Sequence, residues 1–506
     1  MPLATVYTRA QIGLDAPQVI CEVHLSGGLP GLSIVGLVET AIKESRERVR
    51  AAIKQSGFRI PEGKITVNLA PADLPKAGSR FDLAIAVGIL AASEQVSAKH
   101  LGATEFYGEL AFSGVVRPVR GLLPAILQAH ALRRRCVVPA ECAREVGLLQ
   151  DADSRLADHL SAVVRHLADL EELPAIEGAD GLETSPPPAR VPDLADVRGQ
   201  AQGRRALEIA AAGRHNLLMS GPPGTGKTML AQRLPGLLPE LTDEQIVENL
   251  LLASLSGVEV QWSARRPFRA PHHTSSAVAL VGGGRSPRPG EISLANHGVL
   301  FLDELPEFPR NVLEALREPL ESGAISVARA ERSIRFPAHF QFVAAMNPCP
   351  CGFAGDTTHE CRCSADQVRR YQRKISGPLL DRLQIRPRIG RCPPLILARS
   401  TEEPESTATV RQRVLDATAT QERRGKVPNA RLSSADVKRW CMPERDGARL
   451  LETAAVRFAM SIRACDDTLR VARTIADLAA ADSVRKDHVA EALALRGVNQ
   501  CSPADP

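Results

Sequence analysis

The chain has 506 residues and a formal net charge of +5, with an aromatic content of only 3%. That length allows about three domains, and no stretch approaches the ~20 apolar residues of a membrane span. The mild positive charge permits a nucleic-acid partner without requiring one, and the scarcity of aromatics argues against a platform that stacks single-stranded bases. Eleven cysteines in a chain whose opening residues show no basic-then-apolar leader point to free thiols or a metal site in a cytoplasmic protein.

Taken in order, the first third alternates helix-like and strand-like segments. Val38–Ser56 has helical spacing and stops at Gly57, Lys64–Ala70 alternates as a strand does, and Phe81–Ala92 is apolar nearly all round, as a buried helix is. Glu105–Val119 reads as a hairpin turning at Ser113-Gly114, Leu122–Leu132 as a helix and Cys136–Pro139 as a short strand. Pro75–Ala86 (PKAGSRFDLAIA) and Gly114–Pro139 resemble the proteolytic domain of Lon proteases. A Ser–Lys pair does the work in that family, but the alignment puts Arg80 at the serine position and Ala125 at the lysine position. Ser79 is one place off and Lys76 lies beside it, so the expected domain, residues 1–172, is an α/β scaffold of the ribosomal-S5-like type without catalysis. Residues 173–192 are rich in Pro, Gly and acids and read as a linker.

From residue 193 the chain carries the marks of a nucleotide motor. GPPGTGKT, comprising Gly221, Pro222, Pro223, Gly224, Thr225, Gly226, Lys227 and Thr228, sits between the apolar run Asn216–Ser220 and a helical segment. Glycines at that spacing let backbone N–H groups converge on phosphate oxygens, with the positive end of a helix behind them. Lys227 then reaches the outer phosphates of ATP, and Thr228 offers a hydroxyl to Mg²⁺. GVLFLDEL follows, with Val299–Leu302 as a strand buried on both faces. Asp303 at its end is placed to hold Mg²⁺, and Glu304 to polarise the attacking water. Phe340–Asn347 reads as another strand, ending in Asn347, a side chain able to sense the γ-phosphate.

The stretch that follows, NPCPCGFAGDTTHECRC, holds Cys349, Cys351, Cys361 and Cys363 as two C-x-C pairs nine residues apart. Two such arms can close a tetrahedral thiolate site suited to Zn²⁺, with His359 as an alternative ligand. Two insertions are basic: residues 263–298, with Arg265, Arg266, Arg269, His272, His273, Arg285 and Arg288, and the hairpin-like 323–340, with Arg329, Arg332 and Arg335. Such arginines suit a nucleic-acid backbone, although a solvated loop serves any single one as well. Adjacent His272 and His273 are expected to point apart. Residues 395–506 read as helical, ending in the amphipathic KDHVAEALALRG.

These segments resemble AAA+ ATPases. In that likeness DLADVRGQ (Asp193–Gln200) is the adenine-side box, Asn347 the first sensor and residues 395–506 the helical lid of an ATPase core at 193–394. SGPLLDRLQIR (Ser376–Arg386) resembles the arginine-finger segment of the chelatase and minichromosome-maintenance branches, with Arg382 reaching a neighbouring subunit's nucleotide. Arg463, Arg470 and Arg473 are candidates for the second sensor, and the likeness favours Arg463, then Arg470. The whole order, including RPFRAPHHTSS, PGEISLANHGVLFLDELPEF, NPCPCG and SGPLLDR, resembles the YifB/ComM family of magnesium-chelatase-like AAA+ ATPases. The resemblance implies a hexameric DNA branch-migration helicase acting in natural transformation, with ATP and Mg²⁺ as cofactors, DNA as partner and no membrane association. A second reading is the motor subunit of a metal-inserting chelatase, and a third, an ATP-dependent protease, conflicts with Arg80 and Ala125.

Overall fold

A computed structural model describes residues 3–36, 40–74, 76, 78–149, 153–176, 192–284, 287–329, 332–391 and 404–497. Leu3–Arg9 pairs antiparallel with Gln18–Ser26, which pairs antiparallel with Lys64–Ala70. Gly31–Val35 adds parallel at one edge. Thr104–Phe106, Arg135–Pro139 and Ser154–Ala157 add in parallel on the other side, giving a seven-stranded mixed sheet. In Lys64–Ala70 the residues Ile65, Val67 and Leu69 are buried while their neighbours are not, the alternation of a half-covered strand. Helix Asp82–Ala92 is buried at every position. Gly88 allows that close seating, since a Cβ there would lie 2.6 Å from Val23 Cγ2.

Two expectations for this region change. The hairpin is confined to Glu109–Leu110 and Val116–Arg117, because Glu105 lies in the main sheet, where its buried carboxylate takes a 2.8 Å bond from Arg9. Leu173 is buried, and the chain up to Ile176 runs beside Ser154–Ala157, so the first domain continues into the stretch that composition marked as linker. Residues 177–191, with the three consecutive prolines, lie outside the described residues.

The second domain is built on a parallel sheet in the order Leu217–Ser220, Gln341–Met346, Val299–Leu302, Phe268–Arg269. The segment around Ile385–Arg388 adds along the free edge of Leu217–Ser220. Successive residues of the central strands feed opposite cores. Val299, Phe301, Val343 and Ala345 pack with helices Ala201–Gly213 and Lys227–Leu237, while Leu300, Leu302, Phe342 and Ala344 pack with Ile292, Phe308 and Leu316. A strand with both faces covered must be continuously apolar, and that is the reason the sequence there reads as a run.

Among the described residues five α-helices, from Thr407–Gly425 to Lys486–Leu495, make up the third part. Its Val410, Val414, Val471 and Ile475 share a core with helix Ala201–Gly213 of the second domain. Buried polar bonds fasten the joint: His215 Nε2 lies 2.7 Å from Thr474 Oγ1, and Gln421 donates to the Ala212 carbonyl at 3.0 Å. Burial pushes His215 down to about 3, so it is a neutral ring there. The first domain docks through helix Leu122–Ala131, whose Leu122 and Ile126 cluster with Ile246 and Leu250 of helix Asp243–Ser256.

Candidate nucleotide site

The phosphate loop leaves the C-terminal end of Leu217–Ser220 and runs into helix Lys227–Leu237. Gly224 and Gly226 have φ of +75° and +84°, a backbone that only glycine adopts without strain. The helix starts without a side-chain cap, so its first N–H groups are open to an anion. The Lys227 ammonium is buried at the loop's centre, donating to the carbonyls of Gly221 (2.8 Å) and Pro222 (2.9 Å) and to Asn347 Oδ1 (3.2 Å). Desolvation lowers its pKa, only partly countered by Asp303 and Glu304. A cation held this way is stabilised by an arriving polyphosphate. Thr228 Oγ1 donates to Asp303 Oδ2 at 2.6 Å, so hydroxyl and carboxylate stand together where Mg²⁺ on a nucleotide would need them. Of the adenine-side box, Val197 is buried in the adjoining core and Gln200 donates to the Thr225 carbonyl at 3.0 Å.

Glu304 is exposed and has φ of +52°, an unusual backbone for a glutamate. Its carboxylate lies 3.4 Å from His273 Nδ1, a contact the sequence did not suggest. The His272 and His273 rings do not diverge as expected. They lie face to tilted face, with centroids 4.1 Å apart, because His272 is held by Thr274 while His273 turns to Glu304. The only hint in the sequence was a loop histidine placed between two motor motifs.

Two of the insertion arginines are committed within the chain. Arg269 makes a bidentate pair with Glu291 (2.6 and 2.7 Å), and Arg266 donates to the carbonyls of Pro239, Glu240 and His297. The charge of Arg269 is spent on Glu291, whereas Arg266, bonded only to carbonyls, keeps its charge uncompensated. Arg288 and Arg335 are exposed. Arg335 stands on the hairpin of Ala324–Arg329 and Arg332–Pro337, and Arg285 lies outside the described residues. In the first domain, Ser79 donates to the Glu109 carboxylate and Lys76 to the Pro71 carbonyl, so no Ser–Lys pair forms. Arg80, at the aligned serine position, donates instead to Gln11 and to the Gly121 carbonyl, both at 3.1 Å.

The four sulfurs of Cys349, Cys351, Cys361 and Cys363 lie within 4.8 Å of one another. Three of the separations are 3.3, 3.7 and 3.6 Å. Ligands at ~2.3 Å in a tetrahedron sit roughly 3.8 Å apart, so the set fits one thiophilic divalent ion. The backbone N–H of Phe353 draws the Cys351 thiol down to about 6, while burial and the neighbouring thiols hold those of Cys361 and Cys363 up. His359 stacks on Phe353 at 5.0 Å and bonds Thr358, apart from the four sulfurs. The loop braces the nucleotide site: a Cβ on Gly352 would lie 2.8 Å from Pro223 Cδ, and Arg388 donates to the carbonyls of Ala354 (3.0 Å) and Gly355 (2.9 Å).

Arg382 is at the other end of the sheet. Asn216, which precedes the phosphate-loop strand, donates to the Arg382 carbonyl at 2.9 Å. The four-residue strand, roughly 13 Å long, therefore separates Arg382 from its own phosphate loop. Its guanidinium pairs with Glu321, which also takes a 3.0 Å bond from Arg463. Both arginines line a cavity of about 870 Å³ to which no residue of 221–228 contributes. Arg470 is taken up by Asp467 and the Leu432 carbonyl, and Arg473 by Asp477 and the Asp482 carbonyl. Of the three lid arginines only Arg463 presents its charge beside Arg382.

A parallel sheet with this phosphate loop, the acidic strand end and a helical lid defines a AAA+ ATPase of the magnesium-chelatase type. A family model described as magnesium chelatase, subunit ChlI matches residues 193–394, one described as subunit ChlI of Mg-chelatase matches 21–142, and one for the ChlI C-terminal region matches 404–496. Competence protein ComM of Haemophilus influenzae is 49% identical over 503 residues, 98% of each chain. YifB of Salmonella typhimurium, described only as uncharacterized, is 49% identical over 504 residues, 99% of this chain and 98% of its own. The magnesium-chelatase 38 kDa subunit of Cereibacter sphaeroides is 28% identical over 184 residues, 30% of this chain and 51% of its own. The chain belongs to the YifB/ComM family of magnesium-chelatase-like AAA+ ATPases.

Proposed function

We propose that this protein is a ring-forming, ATP-hydrolysing motor that moves DNA, with branch migration during uptake and integration of donor DNA as its task and the cytoplasm as its place. The observation that carries the ring is the separation of Arg382 from the phosphate loop of its own chain. An arginine finger so placed completes a site only on a neighbour, and Arg463, on the same Glu321 carboxylate, would act with it. A hexamer is the ring the family resemblance implies. DNA as the substrate is supported by the name of the competence relative and by the exposed Arg335 hairpin beside the first-sensor strand. No helix among the described residues is long and apolar enough to cross a membrane. The chelatase-subunit reading is weaker, since the match to the 38 kDa chelatase subunit spans 30% of this chain at 28% identity, against 98% at 49% for the competence relative.

The deciding experiment measures ATP turnover alone and with single-stranded, duplex and four-way-junction DNA, alongside migration of a labelled junction. The expected result is stimulation by DNA and ATP-dependent resolution of the junction. Junctions that stay intact across salt and protein concentrations would leave an ATPase without this substrate.

We also propose that the four-cysteine cluster holds one structural Zn²⁺. Metal analysis of the purified chain should give about one zinc per chain, and Cys351→Ser with Cys361→Ser should give none. Because the loop leans on Pro223, zinc loss is expected to lower the ATPase domain's melting temperature by roughly 5 °C, as for a loss of about 2 kcal/mol in a domain of this size. Full-occupancy zinc in the double variant would place the ion elsewhere.

A further inference from the structure

The cavity behind Arg382 has a second group of cations that the motor reading does not use. Arg214, Arg266 and Arg431 all line it. Arg214 Nη2 and Arg266 Nη1 converge on a single acceptor, the His297 carbonyl, at 3.4 and 2.6 Å. Arg431 stands at the mouth, with its Nη1 3.4 Å from His339 Nδ1, and the His339 ring stacks on His297 at 5.9 Å. None of the three has a carboxylate partner among the described residues. Their bonds go to carbonyls and a ring nitrogen, and Arg214 Nη1 is buried with no partner at all.

Acids do line the same cavity, but three of them are already paired. Glu240 bonds Arg411 at 3.0 Å, Glu321 holds Arg382 and Arg463, and Asp467 holds Arg470 at 2.7 Å. Glu422 lies exposed at the rim. Burial, then the charges of Arg266 and Arg431, hold the Arg214 guanidinium well below its ordinary value, which is the mark of cations gathered without a counter-ion. Arginine stays protonated even so. Three guanidinium groups brought together without a carboxylate repel one another, and a bound anion would relieve that repulsion.

We propose that Arg214, Arg266 and Arg431 form a binding site for a small phosphate-class oxyanion, separate from the phosphate loop of the same chain. Planar guanidinium forks match the oxygens of phosphate or pyrophosphate, and a cavity of about 870 Å³ admits either with its water. The binding site follows from the cavity alone. Its role rests on the ring reading: the wall it shares with Arg382 would make it the first stop for phosphate released at a neighbour's nucleotide.

The test uses the full-length chain carrying Lys227→Ala, which silences its own phosphate loop. Calorimetric titration with inorganic pyrophosphate at fixed ionic strength should show one site per chain. Adding Arg431→Gln, a mouth residue whose loss spares the core, or separately Arg266→Gln, should weaken that affinity about tenfold or more, as expected for loss of a charged hydrogen bond. Melting curves without ligand check that each variant is folded. No heat with pyrophosphate in the Lys227→Ala chain, or an affinity in both arginine variants unchanged from that chain, overturns the site. A parallel titration with short duplex DNA separates the sources: displacement of pyrophosphate by DNA would assign the arginines to a nucleic-acid backbone and overturn the small-anion assignment. Neither DNA translocation nor ring assembly enters the measurement, so its failure is distinct from failure of the motor reading.

Discussion

Arg382→Ala is expected to bind ATP as the natural chain does and to lose roughly 10³–10⁵ of its turnover, the range for a transition-state arginine supplied by another subunit. The guanidinium is poised rather than free. It is buried, pairs with Glu321, donates to the Pro378 carbonyl and leaves its Nε without a partner. In the ring that cation would exchange Glu321 for the phosphates of the adjoining chain, a stronger bond for a planar fork. Mixing Arg382→Ala chains with Glu304→Ala chains supplies the check. Some interfaces in a mixed ring unite an intact Arg382 with an intact Glu304, so the mixture should hydrolyse ATP faster than either variant alone. A mixture no faster than its parts would confine Arg382 to a structural pairing within its own chain.

Lys227→Ala is expected to lower ATP turnover by at least roughly 10²–10³, the scale seen when one preorganised charge donor is removed from a reacting site. The ammonium already sits among carbonyls of Gly221 and Pro222 and the Asn347 side chain, so the loop is shaped before any nucleotide arrives. Burial that lowers the pKa of Lys227 is relieved when phosphate oxygens bring negative charge to it. Lys227→Arg should fail almost as badly, because a planar fork cannot fill the place of a compact ammonium. Turnover and fluorescent-nucleotide binding measure both effects. Full turnover in Lys227→Ala would remove the motor assignment altogether.

Much of the architecture was legible in the chain because its signals are local. The phosphate loop needs glycine at positive φ, a following helix and a lysine at fixed spacing, and all three are written within eight residues. Val299–Leu302 and Gln341–Met346 read as runs because both of their faces are covered. The cysteine loop was legible for the same reason, since two C-x-C arms nine residues apart can meet only by closing on themselves. Local reading was less reliable where a distant partner decides the outcome. Glu105 left its expected hairpin because Arg9, far away in sequence, pairs with it. Arg269 read as a free basic residue until Glu291 claimed it.

The sequence by itself therefore determined the class of protein, its nucleotide loop, its acidic strand end and its cysteine cluster, since short-range spacing and backbone geometry dictate each of these. Only the tertiary structure decided which charges are free to act. It brought His273 to Glu304, set Arg463 beside Arg382 on one carboxylate, and gathered Arg214, Arg266 and Arg431 around a common cavity. Charge pairing depends on which side chains the folded chain places within a few ångströms, and no spacing along the sequence carries that information.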